Sequence, residues 1–374
     1  MPRLAPLESV WDKLCPAEQA RILRLLIDGW SLMMPATSSR SGCLRIALAM
    51  TKVVSTAPPI RPLAGARKSS GVCRGKAMDW RRNGIEEIEA QFNPRKSVPD
   101  FEDHQARHAS WSAAARAELD ARLDVPYGDG PLHKIDIFPA PGVRDAPVHV
   151  YFHGGYWRAQ DKANFAHVAK TLVGEGICTV IANYDLCPAV TLDGTVASAL
   201  RAVAWISRHA GDYGGDPDRL TLSGHSAGAH LCAMALARDW RAAGLPADVI
   251  KGAVPISGIF DPEPAMHTTV NVEIRLTEEI ARRNDALRLA PRVRCPVKLF
   301  VGGDEPTEWV RQSELYAEHL RQHGLAPELT IVPGAHHFDI LDQYVDPASP
   351  ITRAVVELAH GRFDARDRRD SPGL

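Results

Sequence analysis

The stretch Arg219–Leu231, RLTLSGHSAGAHL, contains Gly224-His225-Ser226-Ala227-Gly228, the pattern G-x-S-x-G. So short a motif takes its weight from its flanks. Before it, Leu220 and Leu222 sit in a short apolar run that reads as a buried strand. After it, Ala227, Ala229, Leu231, Ala233, Met234 and Leu236 are small or helix-forming. Strand, tight turn and helix are the context a nucleophile elbow requires. Glycines two before and two after the serine let the helix pass close to the strand. The first N–H groups of that helix then face a reacting centre at the serine hydroxyl, where negative charge will develop.

Working outward, strands and helices alternate. Leu123 to Tyr127 and Lys134 to Phe138 predict a hairpin across Gly128-Asp129-Gly130-Pro131. Val148 to Phe152 predicts a buried strand running into His153-Gly154-Gly155-Tyr156-Trp157. Helices are expected over about 161–174 and 195–210, with a strand at Cys178 to Asn183 between them. Beyond the elbow come a strand at Ile250 to Ile256 and a charged helical segment over 261–290, which reads as a cap. They are followed by a strand at Pro296 to Val301, a helix over about 307–323, a strand at Glu328 to Val332 and a last helix over about 350–362. The fold class is α/β, a doubly wound, mostly parallel sheet of the α/β-hydrolase type.

A serine hydroxyl needs a base to take its proton and an acid to orient the base. In this architecture the acid follows the next-to-last strand and the histidine follows the last. After the first of these come Gly302-Gly303-Asp304-Glu305, where Asp304 and Glu305 compete, and Asp261 is a third candidate one strand early. After the second come Pro333-Gly334-Ala335-His336-His337-Phe338-Asp339, where either histidine fits. The oxyanion donors are expected from the N–H of Ala227 and from the loop of Gly154 and Gly155, whose lack of side chains lets backbone approach the substrate oxygen. Tyr156 and Trp157 either contact substrate at the pocket mouth or pack as core.

Composition excludes several classes. The 374 residues are 45% hydrophobic and 24% charged with a net charge of −1, which gives no polyanion-binding balance and predicts no nucleic-acid partner. No apolar run is long enough to span a membrane. Cys15, Cys43, Cys73, Cys178, Cys187, Cys232 and Cys295 are scattered, odd in number and without a C-x-x-C pair, which reads as reduced thiols in a cytoplasmic protein. Neither a zinc-protease motif nor a phosphate-binding glycine loop follows a strand, and the adjacent His336 and His337 point apart, so neither metal nor cofactor is expected. Oligomeric state, a homodimer included, stays open.

Residues 1–77 differ from the rest, with 12 Lys and Arg against 4 Asp and Glu. Leu7 to Trp30 has one amphipathic helical period, and 31–77 reads as disordered. A basic targeting arm is one reading. The favoured one is that the natural start is Met78 and the upstream residues are an extension. The hydrolase domain is then 78–374.

Four blocks together resemble the kynurenine formamidase (arylformamidase) family of α/β-hydrolases, which stands close to the hormone-sensitive-lipase-like esterases. They are His153-Gly154-Gly155-Tyr156-Trp157, Gly224 through Leu231, Glu308-Trp309-Val310-Arg311-Gln312-Ser313 and His337-Phe338-Asp339. The resemblance covers about residues 78–360. It implies that the acid is Glu305, three positions before Glu308, where eukaryotic members typically carry Asp. It implies that the base is His337, directly before Phe-Asp. The implied activity is hydrolysis of N-formyl-L-kynurenine to L-kynurenine and formate, with Tyr156, Trp157 and the 261–290 segment enclosing the aromatic part. A short-acyl carboxylesterase on the same triad is the rival reading, and a non-catalytic binding module is a distant third.

Overall fold

Apolar residues in period two build the centre of the sheet. In strand β3, Ala146–Phe152, all seven residues are buried. Val148, Val150 and Phe152 face one hydrophobic cluster and Tyr151 the other. Such two-sided burial belongs to a parallel sheet covered by helices on both faces.

The structure is a computed structural model and describes residues 84–361. The expected basic extension over 1–77, with its Leu7 to Trp30 helix, lies outside the described residues. The strands are β1 (Arg122–Pro126), β2 (Lys134–Phe138), β3, β4 (Cys178–Ala182), β5 (Gly215–His225), β6 (Ile250–Ile256), β7 (Lys298–Gly302) and β8 (Glu328–Val332). They form one sheet in the order β1-β2-β4-β3-β5-β6-β7-β8. Pairings β1–β2 and β2–β4 are antiparallel and the rest parallel.

The helices are α1 (Ile85–Phe92), α2 (Phe101–Glu118), α3 (His167–Gly174), α4 (Leu192–His209), α5 (Ala227–Ala237), α6 (Thr307–Gln322) and α7 (Pro350–Ala359). α4, α5 and α6 cover one face, and α2, α3 and α7 the other. From Ala227 to Leu236 helix α5 is buried on every side, which is why its sequence shows no polar stripe. Helices α1 and α2 form a lead-in ahead of the sheet, interrupted at Pro94 and Pro99, whose missing N–H groups cannot continue a helix; Pro94 starts a single short helical turn, Pro94–Ser97, between them. Residues 261–290 carry three short helical pieces, Glu263–His267, Asn271–Ile274 and Glu278–Arg283.

One seam crosses the sheet. Strand β7 pairs with β8 along Lys298–Gly302. It registers with β6 only at Ile256 and Phe300, with an isolated bridge between Ala253 and Val297. Ser257, just past β6, reinforces that junction by donating its N–H to Phe300 O at 2.8 Å.

Candidate active site

Strand β5 ends at His225 and α5 begins at Ala227, which leaves Ser226 alone at the turn with φ 55° and ψ −116°. A non-glycine residue here costs on the order of 1–3 kcal/mol and persists only where its surroundings impose it. They do so by close packing. A Cβ on Gly224 would lie 2.3 Å from Gly228 O, and one on Gly228 would lie 2.0 Å from Phe152 O. The Ser226 N–H donates to Ile256 O at 2.8 Å. Ala227 is the first helical residue, so its N–H has no partner within the helix.

The two competing carboxylates separate clearly. Glu305 is buried and its Oε2 lies 2.6 Å from His337 Nδ1. Its Oε1 accepts the Gly302 N–H at 2.7 Å and the Ser257 hydroxyl. Asp304 is exposed, and its N–H donates to Ala335 O at 3.0 Å. Asp261 turns its carboxylate to the Glu263 N–H at 2.9 Å, and burial pushes its pKa up to about 6. Of the two histidines, His336 accepts the N–H groups of Phe338 and Asp339 at its Nδ1, so it is engaged with its own loop. His337 packs edge-on against Trp309 at 4.7 Å and lies 4.5 Å from the His225 ring. A carboxylate at Nδ1 holds the proton there, leaving the Nε2 lone pair to accept one.

Past β3 the chain turns sharply through His153, Gly154 and Gly155. His153 Nδ1 lies 2.7 Å from Gly154 O, and the Tyr184 hydroxyl donates to His153 O at 2.6 Å. Gly155 has φ +114°, and a Cβ there would meet Ala159 O at 2.2 Å. A Cβ on Gly154 would lie 2.9 Å from His225 Nδ1 and 3.3 Å from Ser226 Cβ, so this loop rests directly on the elbow.

Ser226, His337, Gly154, Gly155 and Tyr156 line one open cavity. Tyr156 is anchored by its hydroxyl, which donates to Phe92 O at 2.8 Å. The alternative that put Trp157 at the pocket mouth is corrected. Its ring is fully buried and its indole N–H donates to His230 Nδ1 at 3.2 Å. With φ 57° following φ 56° at Tyr156, the backbone turns the second ring under α5 and away from the cavity.

Residues 149–340 match a protein-family profile described as alpha/beta hydrolase fold. The kynurenine formamidase of Salmo salar is 34% identical over 292 residues, 75% of this chain and 98% of that protein. That of Danio rerio is 32% identical over the same shares. The chain belongs to the kynurenine formamidase family of α/β hydrolases. It is therefore a hydrolase-type enzyme. Among solved structures, a provisionally assigned thioesterase from Silicibacter sp. aligns with TM-score 0.65 and 28% identity, covering 73% of this chain and 99% of that one.

Family membership gives the 308–313 block a structural meaning. Trp309 braces His337 and donates its indole N–H to Ser257 O at 2.8 Å. The Gln312 Oε1 accepts the N–H groups of Phe260 and Asp261 at 2.9 and 2.8 Å, fixing the chain that leaves β6. Several cavity residues escaped the sequence reading, Arg158, Gln160 and Asn164 past the glycine loop among them. His225 is the variable residue of the G-x-S-x-G motif. It is buried, its Nε2 has no hydrogen-bond partner, and burial followed by the nearby His337 pushes its pKa well down, so it stays neutral. Asn93, Arg95 and Gln105 reach the cavity from the lead-in. No motif marks them, because only the packing of α1 and α2 brings them there.

Proposed function

We propose that this enzyme hydrolyses the formamide of N-formyl-L-kynurenine to L-kynurenine and formate. Ser226 is the nucleophile, His337 the general base and Glu305 the residue that orients it. Ser226 Oγ attacks the formyl carbon while His337 Nε2 takes the hydroxyl proton. The N–H groups of Ala227 and of the Gly154–Gly155 loop hold the developing oxyanion. His337 then gives its proton to the departing aryl nitrogen, and the C–N bond breaks to leave formyl-Ser226. Water, deprotonated by His337, attacks that ester, and formate leaves as the serine regains its proton. Formyl bears only hydrogen beside the reacting carbon, so the cavity volume serves the aromatic amine, with Tyr156 and the 261–290 cap around it.

The observation that carries this chemistry is the buried contact between Glu305 and His337 on the wall that also presents Ser226. Its direction toward a formamide is supported by relatives, matched over nearly their whole length, that are kynurenine formamidases. Cys178, Cys187, Cys232 and Cys295 are free thiols, which supports a cytosolic setting. Among the described residues no helix is long and apolar enough to cross a membrane.

The test is hydrolysis of N-formyl-L-kynurenine beside p-nitrophenyl acetate by wild type and Ser226→Ala. Much higher kcat/KM on the formamide, lost in the variant, is expected. Rapid ester cleavage without formamide turnover would leave the carboxylesterase reading instead.

A further inference from the structure

The cavity has a charge imbalance that the triad does not use. Its lining includes Arg95 and Arg158 but neither Asp nor Glu. Arg158 Nη1 pairs with Glu273 Oε1, a carboxylate 52% exposed. Arg158 Nε is buried without a hydrogen-bond partner. Among the described residues Arg95 makes no ion pair and stacks its guanidinium 5.1 Å from the Phe101 ring. Thus Glu273, half in solvent, faces both guanidiniums, and Glu102 is the other carboxylate near Arg95. Burial and then the nearby Arg158 push the Arg95 pKa down, so the cation is held where its charge is disfavoured. A guanidinium kept beside another and partly out of water is stabilised most by a planar anion, which its fork of N–H donors matches. Asn93, Gln105, Gln160 and Asn164 are the uncharged polar neighbours on that wall.

We propose that Arg95 and Arg158 form a carboxylate-binding subsite that selects substrates carrying an anionic group in addition to the acyl group cleaved at Ser226. The inference rests on the formamide reading for the choice of ligand, since the amino-acid carboxylate of N-formyl-L-kynurenine is the group it would hold. It makes a separate statement, that the enzyme prefers acidic aryl formamides over neutral ones. The contact is made equally to bound substrate and to transition state, so losing it raises KM more than it lowers kcat.

The measurement is calorimetric binding of L-kynurenine and of its carboxamide to wild type, Arg95→Gln and Arg95→Lys. A charge-assisted contact of this kind corresponds to roughly 10- to 100-fold in affinity. Wild type is expected to bind L-kynurenine that much more tightly than the carboxamide. Arg95→Gln is expected to erase the preference, and Arg95→Lys to restore part of it. In parallel, the ratio of kcat/KM for N-formyl-L-kynurenine to that for formanilide should fall by a similar factor in Arg95→Gln, through KM. Equal wild-type binding of the acid and the carboxamide, or an Arg95→Gln protein that keeps the preference, overturns the subsite. Neither binding result depends on formamide turnover. An enzyme that binds the acid selectively yet leaves N-formyl-L-kynurenine intact keeps the subsite and refutes the proposed reaction.

Discussion

Glu305 and His337 meet at 2.6 Å with both side chains buried, while the second oxygen of the same carboxylate is held by the Gly302 N–H at 2.7 Å and by Ser257. The carboxylate is thus fixed at both ends before substrate arrives. Preorganisation of this kind lets an acid orient a base without reorganising during the reaction.

The pairing distinguishes two adjacent residues. Glu305→Gln keeps shape and burial but loses the charge that selects the His337 tautomer, and kcat should fall by about 10⁴-fold, as in other triads that lose the charge on the acid. Asp304→Asn, at an exposed position, should leave kcat within twofold. Steady-state kinetics of the two variants decide the point, and the reverse pattern would move the acid to Asp304.

Gly155→Ala tests the oxyanion loop. The added methyl would lie 2.2 Å from Ala159 O on a backbone at φ +114°, so the loop must shift. Losing one donor costs about 2.7–4 kcal/mol of transition-state stabilisation, so kcat should drop by about 100-fold or more. Circular dichroism confirms that the variant is folded. A folded variant with near wild-type kcat would remove this loop from the oxyanion site.

Trp157→Phe should behave as a core change. It leaves His230 Nδ1 without the indole donor, at a cost of about 1–3 kcal/mol in stability, and KM should stay within twofold. Urea denaturation and substrate saturation curves measure the two effects. A tenfold rise in KM at unchanged stability would return Trp157 to the substrate.

Acid should destabilise the fold. Burial pushes His149 and His167 down to about 3 and His230 down to about 4. Between the ordinary histidine value near 6.5 and these values, the unfolded chain binds protons that the folded chain refuses. Stability is therefore full above that range and falls as pH drops through it. Asp261 opposes this, because its folded carboxyl titrates at about 6 and takes a proton that the unfolded one does not. Three groups outweigh one. Summed over these four, the loss from pH 7.5 to 5.5 is about 3 kcal/mol. The urea midpoint should be lower at pH 5.5, and a constant or rising midpoint would contradict the argument.

What the sequence made legible was local. The elbow, the glycine loop and the strand rhythm each sit within a few consecutive residues, where backbone preference and periodicity speak directly. The choice between Asp304 and Glu305 lay beyond such reasoning. Both occupy one loop, and only contact with His337, brought close by the β7–β8 pairing, separates them. There the family resemblance supplied what spacing could not. Trp157 was ambiguous because its environment comes from His230 on α5. Arg95 carried no signal at all, since its place depends on how the lead-in docks across the sheet.

The thin junction between β6 and β7 divides the machinery unevenly. The nucleophile belongs to the side that includes β5 and β6, whereas the acid and the base ride together on the β7–β8 side. Ser257 links the two parts through its N–H to Phe300, its hydroxyl to Glu305 and its carbonyl to Trp309, and Gln312 adds a second link to the chain leaving β6. The nucleophile and its relay are thus registered to each other across a strand boundary, and Ser257, which touches both sides, carries much of that registration.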